Sequence, residues 1–179
     1  MSPDGSIIFT DSTTDGVFSI SLSGEVREII HGDPKLRFAD FSVHPLDSNW
    51  ILAVQEDHRG ADVLNTLVAI DSQAKTIHPI SQRADFYSHP RFSYDGKRIC
   101  WMHWNHPDMP WMGSELFVAE WKNGESVEGR YISGKPKFVS VCHRISSALS
   151  LTDLRMLKLG LERFTWEGKY SHCCAMVGF

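Results

Sequence analysis

Short apolar runs separated by polar turns form the main pattern of this chain. Val, Ile, Phe and Trp recur in brief stretches bounded by Gly, Asp, Ser or Pro, which is typical of β-strands. The runs fall into three blocks, 5–32, 36–81 and 85–133. The strands predicted in the three blocks are 6–10, 16–22 and 25–30; 38–43, 50–56, 66–71 and 76–80; and 89–92, 98–104, 115–121 and 128–132. The pattern therefore predicts an all-β chain with few helices.

The blocks repeat at a spacing close to fifty residues. An offset of 49 carries Pro45 onto Tyr94 and Leu67 onto Leu116, and Val17 lies 50 residues before Leu67. One blade of a β-propeller holds four short antiparallel strands and has a period of about this length. The sequence thus predicts a partial β-propeller of about three four-stranded antiparallel blades.

The third block contains the most specific motif. Residues 90–99 follow the pattern P-x-x-S-x-D-G-x-x-I, which predicts a strand, a tight turn at Asp95-Gly96 and a returning strand. After it comes the run W-N-H-P-D-M-P-W at 104–111. The hairpin is common to many propellers, whereas the second run is not.

That second run resembles W-D-H-P-N-M-P-W in the N-terminal propeller of prolyl oligopeptidase-family serine peptidases, in the acylaminoacyl-peptidase and dipeptidyl-aminopeptidase-like branch. The segments 36–40, L-R-F-A-D, and 55–58, Q-E-D-H, are similar to blade segments of the same family. The resemblance extends over roughly residues 5–143. The departures from the family's D, N, D and T are Asn105, Asp108, Met112 and Ser114.

In that family the propeller shields a catalytic α/β-hydrolase domain and filters peptide substrates. A hydrolase of this type needs a G-x-S-x-G nucleophile elbow. The nearest match, 124–128, ends in Glu128 and places Ser126 in a polar loop. The resemblance therefore implies a non-catalytic propeller portion that meets peptide substrates only within a full-length peptidase. We expect no catalytic, cofactor-binding or metal-binding residue in this chain.

Two alternatives concern side chains of the specific run. His103, His106 and Asp108 have the spacing of an H-x-x-H-x-D metal site, but Pro107 and Pro110 restrict the loop, so packing is the favoured interpretation. The tryptophans in and around the run could form a platform on which a ligand stacks, but they are expected to pack between blades: Trp101, Trp104, Trp111 and Trp121.

The repeat ends near residue 143. The offset of 49 places the start of a fourth blade at 138–143, so 1–143 is predicted to be propeller. Residues 144–179 contain no further Asp-Gly hairpin and suit an irregular or helical tail. Either a divergent blade or an altered, aberrant sequence would explain this tail.

Composition excludes several functions. The formal charge of −4, from 18 basic and 22 acidic residues without a basic run, argues against a nucleic-acid partner. No apolar stretch approaches the roughly 20 residues of a membrane span, and the N-terminus does not resemble a signal peptide. Without a secretory signal, the cysteines are expected to be free thiols in a cytoplasmic protein: Cys100, Cys142, Cys173 and Cys174.

Two further classes remain open at this point. A stand-alone propeller is a common protein-interaction scaffold, and a lactonase-type propeller would hold a metal in a closed central channel. Three blades leave two open faces, where Phe9, Phe18 and Trp121 are expected to lack part of their usual cover. Self-association through these faces is therefore predicted.

Overall fold

A computed structural model describes residues 2–125 and 127–134 of the chain. The strands form three antiparallel sheets. Sheet 1 holds β1 (Ile7–Thr10), β2 (Val17–Ile20) and β3 (Val26–Ile30); sheet 2 holds β4 (Leu36–Val43), β5 (Trp50–Asp57), β6 (Leu64–Asp71) and β7 (Thr76–Ser81); sheet 3 holds β8 (Phe86–Phe92), β9 (Arg98–Trp104), β10 (Glu115–Glu120) and β11 (Arg130–Gly134). One short helix, α1 (Pro110–Gly113), precedes β10.

The predicted all-β fold is confirmed, and sheets 2 and 3 are four-stranded as expected. Sheet 1 differs, because it has three strands. The repeat matches Val17 of β2 with Leu67 of β6, so the three strands correspond to the second, third and fourth strands of sheet 2. Within the described residues, sheet 1 has no counterpart of β4 or β8.

The Asp-Gly hairpin forms as the sequence predicts. The Ser93 hydroxyl donates to Asp95 Oδ1 at 2.6 Å and accepts from the Arg98 amide at 2.9 Å. Gly96 turns the chain with a φ of +70°, a conformation that suits a residue without Cβ. These contacts close the turn and set the register of β8 against β9.

Neighbouring sheets pack face to face in chain order. Sheets 1 and 2 enclose an aliphatic core: Val17, Ile29, Ile30, Phe38, Ile51, Ala53, Val68 and Ile70. Sheets 2 and 3 enclose a second core with more aromatic rings: Leu52, Val54, Leu67, Ala69, Ile80, Ala84, Tyr87, Phe92, Ile99, Trp101 and Ala119. Each sheet buries its alternating apolar positions against the next, as the blades of a propeller do.

The start of a fourth blade and the C-terminal tail, predicted at 138–143 and 144–179, lie outside the described residues. So do Ser126, Cys142, Cys173 and Cys174. Cys100 is 6% exposed and clusters with Leu116 and Val118.

Candidate functional site

The two loops that the sequence singles out leave the same end of the sheets. The loop 58–63 joins β5 to β6, and the loop 105–114 joins β9 to β10, so both connect the second strand of a sheet to its third. Antiparallel strands alternate in direction, which places equivalent connections at the same end. We call this end, together with the link 82–85 between sheets 2 and 3, the loop end.

Asp85 ties the loop end together. Its carbonyl accepts a hydrogen bond from Asn65 Nδ2 at 2.7 Å, and its amide donates to Asn105 Oδ1 at 2.8 Å. Its carboxylate accepts from the His106 amide at 2.8 Å. One residue thus fixes loop 105–114 to the end of sheet 2.

Aromatic stacking holds the base of loop 105–114. Trp104 stacks on Phe86 with ring centroids 5.4 Å apart, and His106 meets the same ring edge-on at 4.8 Å. The peptide bond between His106 and Pro107 is cis. The base of the loop is therefore packed against β8.

The apex of this loop is apolar and exposed. Met109, Trp111 and Met112 are 45%, 66% and 47% exposed. The expectation that Trp111 packs between blades is therefore wrong, because this residue, on α1, is mainly exposed. The other three tryptophans are covered, since Trp101 and Trp104 are buried and Trp121 packs on Trp50 at 5.3 Å.

The loop 58–63 begins with paired charges. Arg59 Nη2 lies 2.6 Å from Asp57 Oδ2, and hydrogen bonds from Arg59 lower the pKa of Asp57 to about 2. His58 Nε2 lies 3.2 Å from Glu56 Oε2. Asp57 at the end of β5 and Arg59 in the loop therefore compensate each other's charge.

The edge strands β4 and β8 of sheets 2 and 3 carry a feature that sequence reasoning missed. Asp40 and His89 lie 49 residues apart at matching bulges of β4 and β8, and both have positive φ, 58° and 52°. The Asp40 carboxylate accepts from the His89 amide at 2.5 Å and from Arg91 Nη1 at 3.3 Å. The 49 residues between them equal the repeat offset, and this is the sequence signal that could have identified the pair.

Ser88 Oγ also lies 3.1 Å from His89 Nδ1, but this is not a catalytic triad. Asp40 bonds the backbone amide of His89 rather than its ring, so no carboxylate orients the imidazole as a triad requires. The hydrogen bond from the His89 amide to Asp40 therefore joins β8 to β4, and Ser88 contacts only its neighbour in β8.

The candidate metal ligands do not converge. His103 is buried against Phe117 at a ring distance of 4.3 Å, whereas His106 contacts Phe86. A Cβ on Gly113 would lie 2.4 Å from the Cβ of Asp108, so that side chain lies against the end of α1. Among residues 2–125 and 127–134, no group of three His, Cys, Asp or Glu side chains could hold a metal ion.

His103 is buried in a mostly aromatic environment. Burial lowers its pKa, and Glu115, with Oε2 3.6 Å from His103 Nε2, opposes that shift. Its Nδ1 and the indole nitrogens of Trp101 and Trp121 are buried without a hydrogen-bond partner in the described structure. The interface between sheets 2 and 3 thus contains buried nitrogen atoms that make no hydrogen bond within the described structure.

Gly124, the first residue of the nearest match to a nucleophile elbow, has a packing role. Its φ is +85°, and a Cβ there would lie 2.7 Å from the ring of Trp50. The loop between β10 and β11 therefore packs against sheet 2.

In the described part of the chain, no helix is long and apolar enough to span a membrane.

No family model and no curated protein sequence matches the chain. Solved structures do. A puromycin-hydrolysing peptidase of Mycobacterium tuberculosis matches with a TM-score of 0.63 and 27% identity over 73% of this chain and 22% of its own. A puromycin hydrolase matches with a TM-score of 0.61 and 25% identity over 72% and 22%.

Oligogalacturonate lyase from Vibrio parahaemolyticus has a TM-score of 0.57 but only 12% identity, over 74% of this chain and 39% of its own, and so shares the fold alone. The chain spans 22% of the length of the two peptidase structures. The resemblance predicted from the sequence is thereby confirmed: the chain is similar in structure to the propeller region of prolyl oligopeptidase-family peptidases.

Proposed function

We propose that the chain is the non-catalytic propeller portion of a prolyl oligopeptidase-like serine peptidase, where it shields the active site and filters peptide substrates. The observation that carries the proposal is the 25–27% identity to puromycin-hydrolysing enzymes over nearly three quarters of the chain. A propeller fold by itself is also found in a lyase at 12% identity, so the fold alone would not favour a peptidase.

The contribution of this chain would be shape rather than chemistry. Asp85 anchors a long loop at one end of the sheets, and Trp104 and His106 stack beneath it. A loop held in this way restricts passage past the end of the propeller, as a filter must. Peptides are accordingly the proposed substrates of the full-length enzyme, and a cytoplasmic location stays a prediction.

A chimera tests this function. Residues 5–134 would replace the matching segment of the Mycobacterium tuberculosis peptidase, and hydrolysis of a short and a long peptide would be compared. The corresponding segment of oligogalacturonate lyase, which shares only the fold, is the matched control. We expect the first chimera to keep peptidase activity and to hydrolyse the short peptide faster than the long one. Equal activity of both chimeras, or inactivity of both in folded form, would contradict the proposal.

A stand-alone interaction scaffold is the second candidate, favoured by the exposed Met109, Trp111 and Met112. Methionine and tryptophan side chains are frequent in protein-binding surfaces. The variant Trp111→Ser in the chimera separates the two functions. A changed ratio between short and long peptides supports the filter, whereas an unchanged ratio favours the scaffold.

A further inference from the structure

Asp85, in the link between sheets 2 and 3, uses its amide, its carbonyl and its carboxylate in three separate hydrogen bonds. The carbonyl accepts from Asn65 Nδ2 at 2.7 Å, and the amide donates to Asn105 Oδ1 at 2.8 Å. The carboxylate accepts from the His106 amide at 2.8 Å. Removing any one partner would therefore leave Asp85 tied to the other two.

The partners of Asp85 flank two different loops. Asn65 is the second residue of β6, so it lies directly after loop 58–63. His106 lies at the start of loop 105–114, directly after β9. Asp85 thus joins the end of one connection to the start of the next, at the loop end of two neighbouring sheets.

The link that carries Asp85 is itself held in place. The Tyr87 hydroxyl accepts hydrogen bonds from the Arg83 amide at 2.6 Å and from the Ala84 amide at 2.9 Å. Tyr87 is 5% exposed and belongs to the core between sheets 2 and 3. A group that is already fixed loses less conformational entropy when it makes a contact. Asp85 therefore meets both loops from a fixed position.

Hydrogen bonds continue within loop 105–114 from its base to its apex. The Asp108 amide donates to the Asn105 carbonyl at 3.0 Å, and the Gly113 amide donates to the Met109 carbonyl at 3.0 Å. A network of this kind passes a displacement from one end of a loop to the other. The position of the base, which Asp85 fixes, consequently sets the position of the apex.

We propose that Asp85 couples loops 58–63 and 105–114 into one unit and, as a positioning residue, sets the length of peptide that the full-length enzyme admits. The second half rests on the proposed function, because only a filter has an admitted length. Two independent loops would leave a variable gap between them, whereas two loops bonded to one residue keep a constant spacing. Asp85 acts through the loops and needs no contact with the peptide.

Hydrogen exchange measured by NMR on the full chain tests the coupling without any peptidase. Asn65→Ala removes the donor to the Asp85 carbonyl and leaves loop 105–114 unaltered. The His106 amide should then exchange at least about threefold faster, the effect expected when one hydrogen bond is weakened. Coupling is reciprocal, so Asn105→Ala should speed exchange of the Asn65 side-chain amide. Circular dichroism shows whether each variant is folded.

Asn49→Ala is the matched control. Asn49 lies in the turn between β4 and β5, at the opposite end of sheet 2, and its side chain makes no hydrogen bond within the described residues. It should leave His106 exchange unchanged, whereas Asp85→Ala, which removes the acceptor itself, should speed it. A wild-type exchange rate of the His106 amide in Asn65→Ala would overturn the coupling.

The peptidase chimera tests the role in specificity. Asp85→Ala should raise hydrolysis of the long peptide relative to the short one by about threefold or more, because the loops lose their fixed spacing. Asp85→Asn keeps an acceptor oxygen for the His106 amide and should restore the ratio of the parent chimera. An equal loss of activity on both peptides would reveal a merely structural role and overturn the assignment.

Failure of this inference differs from failure of the proposed function. A parent chimera that does not prefer the short peptide contradicts the proposed function, and His106 exchange in the chain alone still decides the coupling. A parent chimera that prefers the short peptide, with the same ratio in Asp85→Ala, overturns only the role of Asp85.

Discussion

The two interfaces between the sheets are built from different side chains. Sheets 1 and 2 meet mainly through aliphatic residues such as Ile51 and Ile70. Sheets 2 and 3 meet through rings as well, with Trp121 edge-on to Trp50, and through hydrogen bonds such as that from His44 Nε2 to the Gly96 carbonyl at 3.0 Å. Hydrophobic burial holds both pairs together, but directional contacts fix the relative position of the sheets mainly at the second interface.

Truncating Trp101, in the interface between sheets 2 and 3, should cause the largest loss of stability. The side chain is 2% exposed, stacks on Phe117 and belongs to the core between sheets 2 and 3. Trp101→Ala is expected to lower the free energy of unfolding by about 3–5 kcal/mol, measured by urea denaturation. Ile51→Val in the aliphatic interface removes one methylene and should cost about 1 kcal/mol. A smaller loss for Trp101→Ala than for Ile51→Val would reverse the ranking of the interfaces.

Breaking the contact between His44 and Gly96 should cause the next largest loss of stability. His44 Nδ1 accepts from the Leu46 and Asp47 amides, so Nε2 carries the proton that is donated to Gly96. A Cβ on Gly96 would lie 2.4 Å from His44 Cε1. Gly96→Ala should therefore displace the ring and break the contact.

Gly24→Ala is the matched control, because Gly24 also has positive φ but has nothing within 4 Å of an added Cβ. Both substitutions bear the backbone strain of about 1 kcal/mol. We expect Gly96→Ala to cost roughly 2 kcal/mol more than Gly24→Ala in urea denaturation. Equal losses would mean that the turn of sheet 3 is not held by His44.

The sequence could predict structure that depends on residues close together in the chain, but not contacts between distant residues. The alternation of apolar and polar residues and the positions of turn residues locate the strands of sheets 2 and 3 to within a few residues. Both signals depend only on neighbours along the chain. The predicted start of β8 was late, at 89 rather than Phe86, since the bulge near His89 interrupts the alternation. The role of Asp85 could not be predicted, because it depends on partners about twenty residues away, one on β6 and the other on loop 105–114.

His103 makes the second interface sensitive to pH. Burial lowers its pKa below the ordinary value of 6.5, so below about pH 6.5 the unfolded chain binds a proton that the folded chain does not. Stability should therefore fall as the pH falls from about 6.5, until the folded imidazole is protonated as well. His103→Gln should flatten this dependence in urea denaturation measured at several pH values.

His31→Gln is the control, because His31 has a side-chain exposure of 89% and lies on the surface. It should leave the slope unchanged. A wild-type chain that becomes more stable on acidification between about pH 6.5 and 5 would contradict the assignment to His103.

Trp111 should give the smallest effect on stability. Its ring is 66% exposed on α1, outside both cores, so Trp111→Ser removes little buried area. Substitutions at such positions change the free energy of unfolding by about 0.5 kcal/mol or less. The expected result is an unfolding curve that overlaps that of the wild type, in contrast to Trp101→Ala. A loss of about 2 kcal/mol would place Trp111 in the folding core and remove the reason to regard the loop apex as a contact surface.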